Sequence, residues 1–175
     1  MNYRAWQLKN ADTAGESALL AAGYGPLLAR VLACRGIAQP QAAAALLVEE
    51  PPLSDPFLLK DMDKAVARIQ QAIENGETIV IFGDYDVDGV SATAILYECL
   101  TNLGAQVRCK LPTREGGGYG LNRETLQKLA DKGYKLIVTV DNGISAIEEA
   151  DLAAELGIEL VITDHHLPAQ QLPKA

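Results

Sequence analysis

The stretch TIVIFGDYDVDG, residues 78–89, joins a short β-branched apolar run to a loop that carries three aspartates. Apolar β-branched residues favour a buried strand, whereas Gly and Asp favour the turn that ends it. The stretch therefore predicts a buried strand over 78–82 that delivers acidic side chains at its carboxyl end.

The same pattern recurs toward the C-terminal end. Further strands are predicted at 106–111, 135–140 and 158–163, and helices between them at 90–104, 122–133 and 146–157. Strands that alternate with helices of this length indicate right-handed βαβ units and a parallel sheet with helices on both faces. The predicted fold class is therefore α/β, a parallel (Rossmann-like) sheet flanked by helices.

The part of the chain before this sheet has a helical pattern. It predicts helices at 25–36, 40–50 and 61–76, and the turn-rich PPLSDPF lies between the last two. We expect residues 1–76 to form an N-terminal helical segment. Residues 77–175 are expected to form the domain that carries the sheet.

The composition excludes several classes of protein. The 175 residues are 49% hydrophobic, which is enough for a folded core. The net charge of -8 argues against a protein that binds nucleic acid mainly through a basic surface. Three cysteines without a CxxC pair indicate neither a disulfide framework nor a cysteine zinc site. The chain has no signal-peptide core and no apolar run long enough for a membrane span, so we expect a cytoplasmic protein without membrane contact.

Polar residues follow each predicted strand. In order along the chain they are GDYDVDG at 83–89, PTREGGGYGLN at 112–122, DNG at 141–143 and DHH at 164–166. The carboxyl ends of parallel strands share one edge of the sheet, and ligands bind in the crevice there. The sequence therefore predicts a functional site at this edge.

The donor types at this edge indicate a metal site. His165 and His166 are adjacent and lie opposite the acidic loops, and imidazole and carboxylate are ligands that Mn²⁺, Fe²⁺ and Zn²⁺ accept. Without a cysteine, the set favours a catalytic metal over a structural zinc. Beside Asp86, Asp88 and His165, Asp141 becomes a candidate bridging ligand, since two ions that share a carboxylate can activate water.

Other interpretations of the aspartate loop explain less. An EF-hand calcium loop requires glutamate at its twelfth position, where this chain has Ile95. A phosphatase with Asp86 as nucleophile would leave the DHH motif without a role. A carboxylate cluster that holds one or two ions accounts for both motifs, because three aspartates at a strand end repel one another unless a cation neutralises them.

The Gly-rich loop after the second strand is a candidate phosphate site. Arg114 suits a phosphate group, and the backbone amides of GGGYG can hold an anion. A surface turn with an exposed arginine is the alternative interpretation.

Taken in order, GDYDVDG, DNG and DHH resemble the motifs of the DHH phosphoesterase superfamily. RVLACRGI at 30–37, LSDPFLLKDMDKAVARI at 53–69 and LPTREGGGYGLN at 111–122 extend the resemblance, within that superfamily, to bacterial exonucleases specific for single-stranded DNA. The resemblance implies hydrolysis of phosphodiesters with Mn²⁺ or Mg²⁺. It also implies removal of nucleotides from the 5′ end of single-stranded DNA in repair and recombination.

The resemblance assigns roles to individual residues. The implied metal ligands, with Asp84 as a further, outer one, are Asp86, Asp88, Asp141 and His165. His166 would face the scissile phosphate and act in catalysis together with Asp141. Asp164 would support the histidines structurally.

Two departures from the family pattern affect these expectations. Phe82 stands where much of the superfamily has a histidine four residues before the DxD pair, so one ion would have fewer ligands. The chain ends nine residues after DHH, where the family continues with a further acidic motif and more domains. We therefore expect an N-terminal fragment, weakly active or inactive alone, whose contacts with single-stranded DNA lie mostly in the missing domains.

Two alternatives remain open from the sequence. One is a DHH-family phosphodiesterase that acts on oligonucleotides or cyclic dinucleotides, or a pyrophosphatase. The other is a metal- or nucleotide-binding module without turnover. The sequence indicates no particular repair protein as a partner.

Overall fold

The computed structural model describes residues 7–48, 53–112 and 120–175. The contacts divide the chain into two compact units, one that ends at Asp55 and one that runs from Pro56 to Ala175. Within these described ranges, no helix is both long and apolar enough to cross a membrane.

The first unit is helical, as the sequence predicts. Its helices are α1 (Thr13–Ala21), α2 (Pro26–Cys34) and α3 (Pro40–Leu46). The first of these was not predicted from the sequence; it begins where the Asp12 carboxylate accepts a hydrogen bond from the Ala14 N–H at 3.1 Å. The unit has its own small core, formed by Leu19, Ala29, Leu32 and Ala43.

The second unit alternates strands and helices. After a short 3₁₀ helix at Pro56–Leu58, its elements are α4 (Met62–Glu74), β1 (Thr78–Gly83), α5 (Val87–Asn102), β2 (Gln106–Lys110), α6 (Arg123–Asp131), β3 (Leu136–Val140), α7 (Ile147–Glu155) and β4 (Glu159–Thr163). The predicted cap of α6 is confirmed, because Asn122 Oδ1 accepts a hydrogen bond from the Thr125 N–H at 2.9 Å.

The four strands form one parallel sheet in the order β2-β1-β3-β4. Ile79 of β1 lies opposite Val107 of β2 on one side and Leu136 of β3 on the other. The predicted α/β class with a parallel sheet is therefore confirmed. β2 lies at one edge of this described sheet, and most of its residues are exposed.

The side chains of β1 alternate between two apolar layers, as expected for a strand with helices on both faces. Ile79 and Ile81 lie in a cluster with Ala72 of α4 and Leu100 of α5. Val80 and Phe82 lie in a second cluster, on the opposite face, whose other members include Leu126, Leu129, Ala150 and Ala153 of α6 and α7. Phe82 is thus a core residue of the sheet.

Helix α4 belongs to the same compact unit as the sheet. Its residue Arg68 forms ion pairs with Glu77, just before β1, and with Glu159 of β4. Burial lowers the pKa of Arg68, but the hydrogen bonds and charges of the two glutamates outweigh this and raise it. The compact unit begins at Pro56, while the domain boundary at residue 76 stays a prediction.

Helix α5 begins at Val87, three residues before the predicted start at Val90. The reason is a cap, because Asp86 Oδ1 accepts a hydrogen bond from the Gly89 N–H at 3.0 Å. Gly89 also lets the helix approach the end of β1 closely, since a Cβ atom there would lie 2.6 Å from the backbone nitrogen of Asp84. Residues 87–89 of the acidic loop therefore form the first turn of α5.

Candidate metal centre

The candidate centre lies at the carboxyl edge of the sheet, between β1 and β3. The chain leaves β1 toward β2 on one side and leaves β3 toward β4 on the other, so the connections diverge at this point. Such a divergence opens a crevice at the strand ends, which is where open α/β sheets bind ligands. The segments after β1, β3 and β4 meet there.

Two groups of side chains that could hold a metal ion share one residue. Asp84, Asp86 and Asp141 form the first group, and Asp141, His165 and His166 form the second. In each group the potential ligand atoms all lie within 4.8 Å of one another. Asp141 therefore belongs to both sets of donors, as a bridging ligand would.

The surroundings of Asp141 fit a cation. Burial raises the pKa of its carboxyl, and the charge of Asp86 raises it further, while the two histidines lower it. Oδ1 of Asp141 lies 2.9 Å from Nε2 of His165. This oxygen of Asp141 is buried, and no donor among the described residues, His165 included, reaches it in hydrogen-bond geometry. A divalent cation would supply the missing partner of this atom and neutralise the carboxylate pair.

Asp86 is held in its charged form. The hydrogen bond from the Gly89 N–H is the largest cause that lowers the pKa of the Asp86 carboxyl. Burial opposes it, and the Asp88 N–H lowers the pKa further. Both groups belong to the first turn of α5, whose N-terminal end favours negative charge. The acidic loop therefore presents a fixed anion at the edge of the sheet.

The backbone of Asp141 adopts a left-handed conformation, with φ of 61°. Aspartate tolerates this region better than most residues, although the conformation still costs free energy. The Asp141 N–H donates to the Thr163 carbonyl at 3.0 Å, so the residue still pairs with β4. This turn at the end of β3 brings its carboxylate to the ligand groups.

Asp164 connects the third and fourth strand ends. Its side chain is almost fully buried and accepts hydrogen bonds from the Ile144 N–H at 2.9 Å and from the His166 N–H at 3.1 Å. Its Oδ1 also lies 2.7 Å from Nδ1 of His166. This geometry supports the predicted structural role of Asp164 toward His166.

The contact with Asp164 predicts a measurable change in the titration of His166. The hydrogen bond that the Asp164 carboxylate accepts from the ring is the largest cause that raises the pKa of His166. Asp164→Asn should keep the size of the side chain and remove its charge, so the pKa of His166 should fall toward its ordinary value. The ring resonances of His166, followed by NMR over pH 5–9, would measure this, with His165 as the internal comparison.

The structure brings together most of the predicted site residues, namely Asp84, Asp86, Asp141, His165 and His166. Asp164 supports them. Among the described residues, neither ligand group includes Asp88, which is exposed in the first turn of α5. Arg114 lies outside the described residues. Asn142, which the sequence analysis passed over within DNG, is fully buried beside the centre.

Comparison with known proteins bears directly on this centre. The family model described as the DHH family, N-terminal domain, matches residues 78–175. The single-stranded-DNA-specific exonuclease RecJ of Bacillus subtilis (strain 168) is 43% identical over 149 residues, which are 85% of this chain. The chain spans only 19% of the length of that relative.

Among solved structures, too, the chain is similar to RecJ exonucleases. A crystal structure of exonuclease RecJ bound to manganese has a TM-score of 0.65 and 38% identity, over 70% of this chain and 31% of that one. RecJ from Thermus thermophilus, in complex with Mn²⁺, has a TM-score of 0.62 and 32% identity, over 91% of this chain and 22% of that one. Both similarities include the α/β architecture described above.

Proposed function

We propose, from the premise that this chain belongs to the DHH family, that it carries the metal centre of a 5′→3′ exonuclease for single-stranded DNA. The observation that carries the proposal is the shared position of Asp141 between a carboxylate group and a histidine group. A carboxylate shared in this way can hold two ions side by side, and such a pair can activate a water and stabilise the oxygens of a phosphodiester. The similarity to single-stranded-DNA-specific exonucleases supports the choice of substrate.

The proposed ligands are the members of the two groups other than His166, with Mn²⁺ or Mg²⁺ as the ion. A bound divalent cation supplies charge neutralisation and a water of lowered pKa. Asp86 and Asp141 provide the anionic ligands, and His165 adds an imidazole. His166, held by Asp164, is placed to donate a hydrogen bond or a proton to a phosphate oxygen.

The contact with DNA is proposed to lie mostly outside this chain. A strand of DNA follows a basic groove, but this chain has a net charge of -8. Arg114 remains a proposed phosphate ligand. A DNA substrate supports the proposed location in the cytoplasm.

Titration with Mn²⁺ in a calorimeter tests the metal centre. The wild-type chain should bind Mn²⁺, and both Asp86→Ala and His165→Ala should weaken binding by roughly 10-fold or more, because each removes a ligand. Glu98→Gln is the matched control, since Glu98 is exposed on α5 outside both ligand groups. Absence of binding, or binding unchanged by the two alanine variants, would refute the centre.

A second comparison decides which aspartate joins Asp86. Asp84 lies within the first ligand group, whereas Asp88 was predicted from the DxD pair. A larger loss of Mn²⁺ affinity in Asp84→Asn would support the grouping in the structure. A larger loss in Asp88→Asn would support the DxD pair.

The substrate is tested by degradation assays with Mn²⁺ and with protein in large excess over DNA, because the expected activity of this chain is weak. Single-stranded DNA with a 5′ label should release labelled mononucleotides, whereas a 3′ label should stay on long products at early times. Dinucleotides and cyclic dinucleotides serve as competing substrates. A clear preference for either of these would overturn the exonuclease in favour of the alternative phosphodiesterase.

A further inference from the structure

We propose that Asn142 is a positioning residue that fixes the Asp141 carboxylate by joining the carboxyl ends of β1 and β3. The inference rests on the proposed metal centre, because it concerns the residue that both ligand groups share. It adds a residue that is not itself among the proposed ligands.

The side chain of Asn142 connects two neighbouring strands. It is fully buried, and its Nδ2 donates hydrogen bonds to the Phe82 carbonyl at 3.1 Å and to the Val140 carbonyl at 2.9 Å. Phe82 lies near the end of β1, and Val140 is the last residue of β3. One nitrogen thus bonds to the end of each strand that borders the crevice.

The chemistry of these two contacts requires a primary amide. Both acceptors are carbonyl oxygens, and both hydrogens of one –NH₂ group are used. Aspartate has the same shape but offers no donor at neutral pH, so its charge would face two carbonyl oxygens. Glutamine has the donor but is longer by one methylene, which a fully buried position does not accommodate without movement.

These contacts hold Asp141 from both sides. On the β4 side, the Asp141 N–H donates to the Thr163 carbonyl at 3.0 Å. On the β1 side, the Asn142 amide donates to the Phe82 carbonyl. Within β3, Thr139 Oγ1 donates to the Asn142 carbonyl at 2.8 Å. Asp141 therefore keeps its left-handed φ of 61° between two fixed points.

The exact position of the carboxylate matters more at Asp141 than at a ligand that belongs to only one of the two groups. Its carboxylate belongs to both ligand groups, and within each group the ligand atoms lie within 4.8 Å of one another. A displacement of about an ångström would disturb both groups together. Residues that orient metal ligands typically contribute roughly 10- to 100-fold to metal affinity.

The test measures Mn²⁺ affinity by calorimetry, together with the thermal midpoint of the metal-free protein. Asn142→Ala and Asn142→Asp should each weaken Mn²⁺ binding by roughly 10- to 100-fold. Leu136→Ala is the matched control, because it removes a fully buried side chain at the opposite end of β3. It should lower the thermal midpoint and leave Mn²⁺ affinity within about twofold.

Thr139→Val serves if the Asn142 variants do not fold. It removes the hydrogen bond to the Asn142 carbonyl with little change of shape, and should weaken Mn²⁺ binding by a smaller factor than Asn142→Ala. Mn²⁺ affinity unchanged in these variants, or reduced equally in Leu136→Ala, would overturn the positioning role.

A readout without metal separates this proposal from the metal centre itself. Hydrogen exchange of the Asp141 amide, compared with the amides at the centre of β3, should accelerate in Asn142→Ala and not in Leu136→Ala. If the wild-type chain bound no Mn²⁺, the proposed function would fail, while this exchange would still decide whether Asn142 fixes Asp141. Unchanged relative exchange would overturn the positioning role independently.

Discussion

Replacement of Asp141 by asparagine is expected to remove Mn²⁺ binding and yet to make the metal-free protein more stable. Asp141 belongs to both ligand groups, so loss of its charge should lower Mn²⁺ affinity by more than about 100-fold. Without metal, its carboxylate is buried beside Asp86, and asparagine accepts the left-handed φ equally well. The gain in free energy of unfolding should be about 1 kcal/mol at pH 7.

The pH dependence of this gain has a definite sign. Burial, and then the charge of Asp86, raise the folded-state pKa of Asp141 above its unfolded value, so the folded state prefers the protonated carboxyl. The wild-type protein therefore loses stability as the pH rises through the unfolded value toward the raised one. The advantage of Asp141→Asn should appear above this window and vanish below it.

Urea denaturation in EDTA, at pH 7 and near pH 3, measures both parts of this expectation. Glu98→Gln, which removes an exposed charge on α5, should change neither stability nor metal binding appreciably. A metal-free Asp141→Asn protein that was less stable than wild type at pH 7 would contradict the argument from burial and repulsion. Full Mn²⁺ affinity in that variant would remove Asp141 from the centre.

Gly89→Ala is expected to destabilise the second unit strongly, although it adds only one methyl group. In a helix, alanine is normally favoured over glycine by about 1 kcal/mol. Here the added Cβ would lie 2.6 Å from both the backbone nitrogen and the Cβ of Asp84, far inside van der Waals contact. Because backbone atoms cannot turn aside, the helix must shift, at a net cost of about 3 kcal/mol.

The shift would also reach the metal centre, because α5 begins between Asp84 and Gly89. Mn²⁺ affinity should fall together with the free energy of unfolding, which urea denaturation measures. Ser91→Ala, an exposed change one residue beyond Val90, is the control and should be neutral or slightly stabilising. Equal stability of the two variants would show that the close approach of α5 to β1 does not limit the fold.

Local patterns predicted most of the elements because each strand and helix of the second unit has its own periodicity and its own end signals. Asn122 caps α6 in the structure as its position in the sequence suggests. The sequence predicts a start of α5 at Val90 because Asp86 belongs to the acidic loop, whereas in the structure Asp86 caps the helix, which begins at Val87. Helix α1 is not predicted from the sequence, and in the structure Asp12 caps it.

The site was predictable to the extent that it follows from strand ends. Asp86, Asp141 and His165 follow three different strands, and a parallel sheet brings such residues to one edge. The role of Asn142 depends on β1 being the neighbour of β3, which no local pattern specifies. The family pattern predicts a ligand position at Phe82, whereas the alternation along β1 places this side chain in the apolar core.

The exposed edge strand has a consequence for the behaviour of this protein in concentrated solution. β2 has a neighbour on only one side in the described sheet, so its other side offers a template on which a strand from another molecule could pair. Arg108 and Lys110 alternate along this strand and are both exposed. If the β2 strands of two molecules paired, these positive charges would repel one another. The two side chains therefore disfavour self-association and aggregation through this edge.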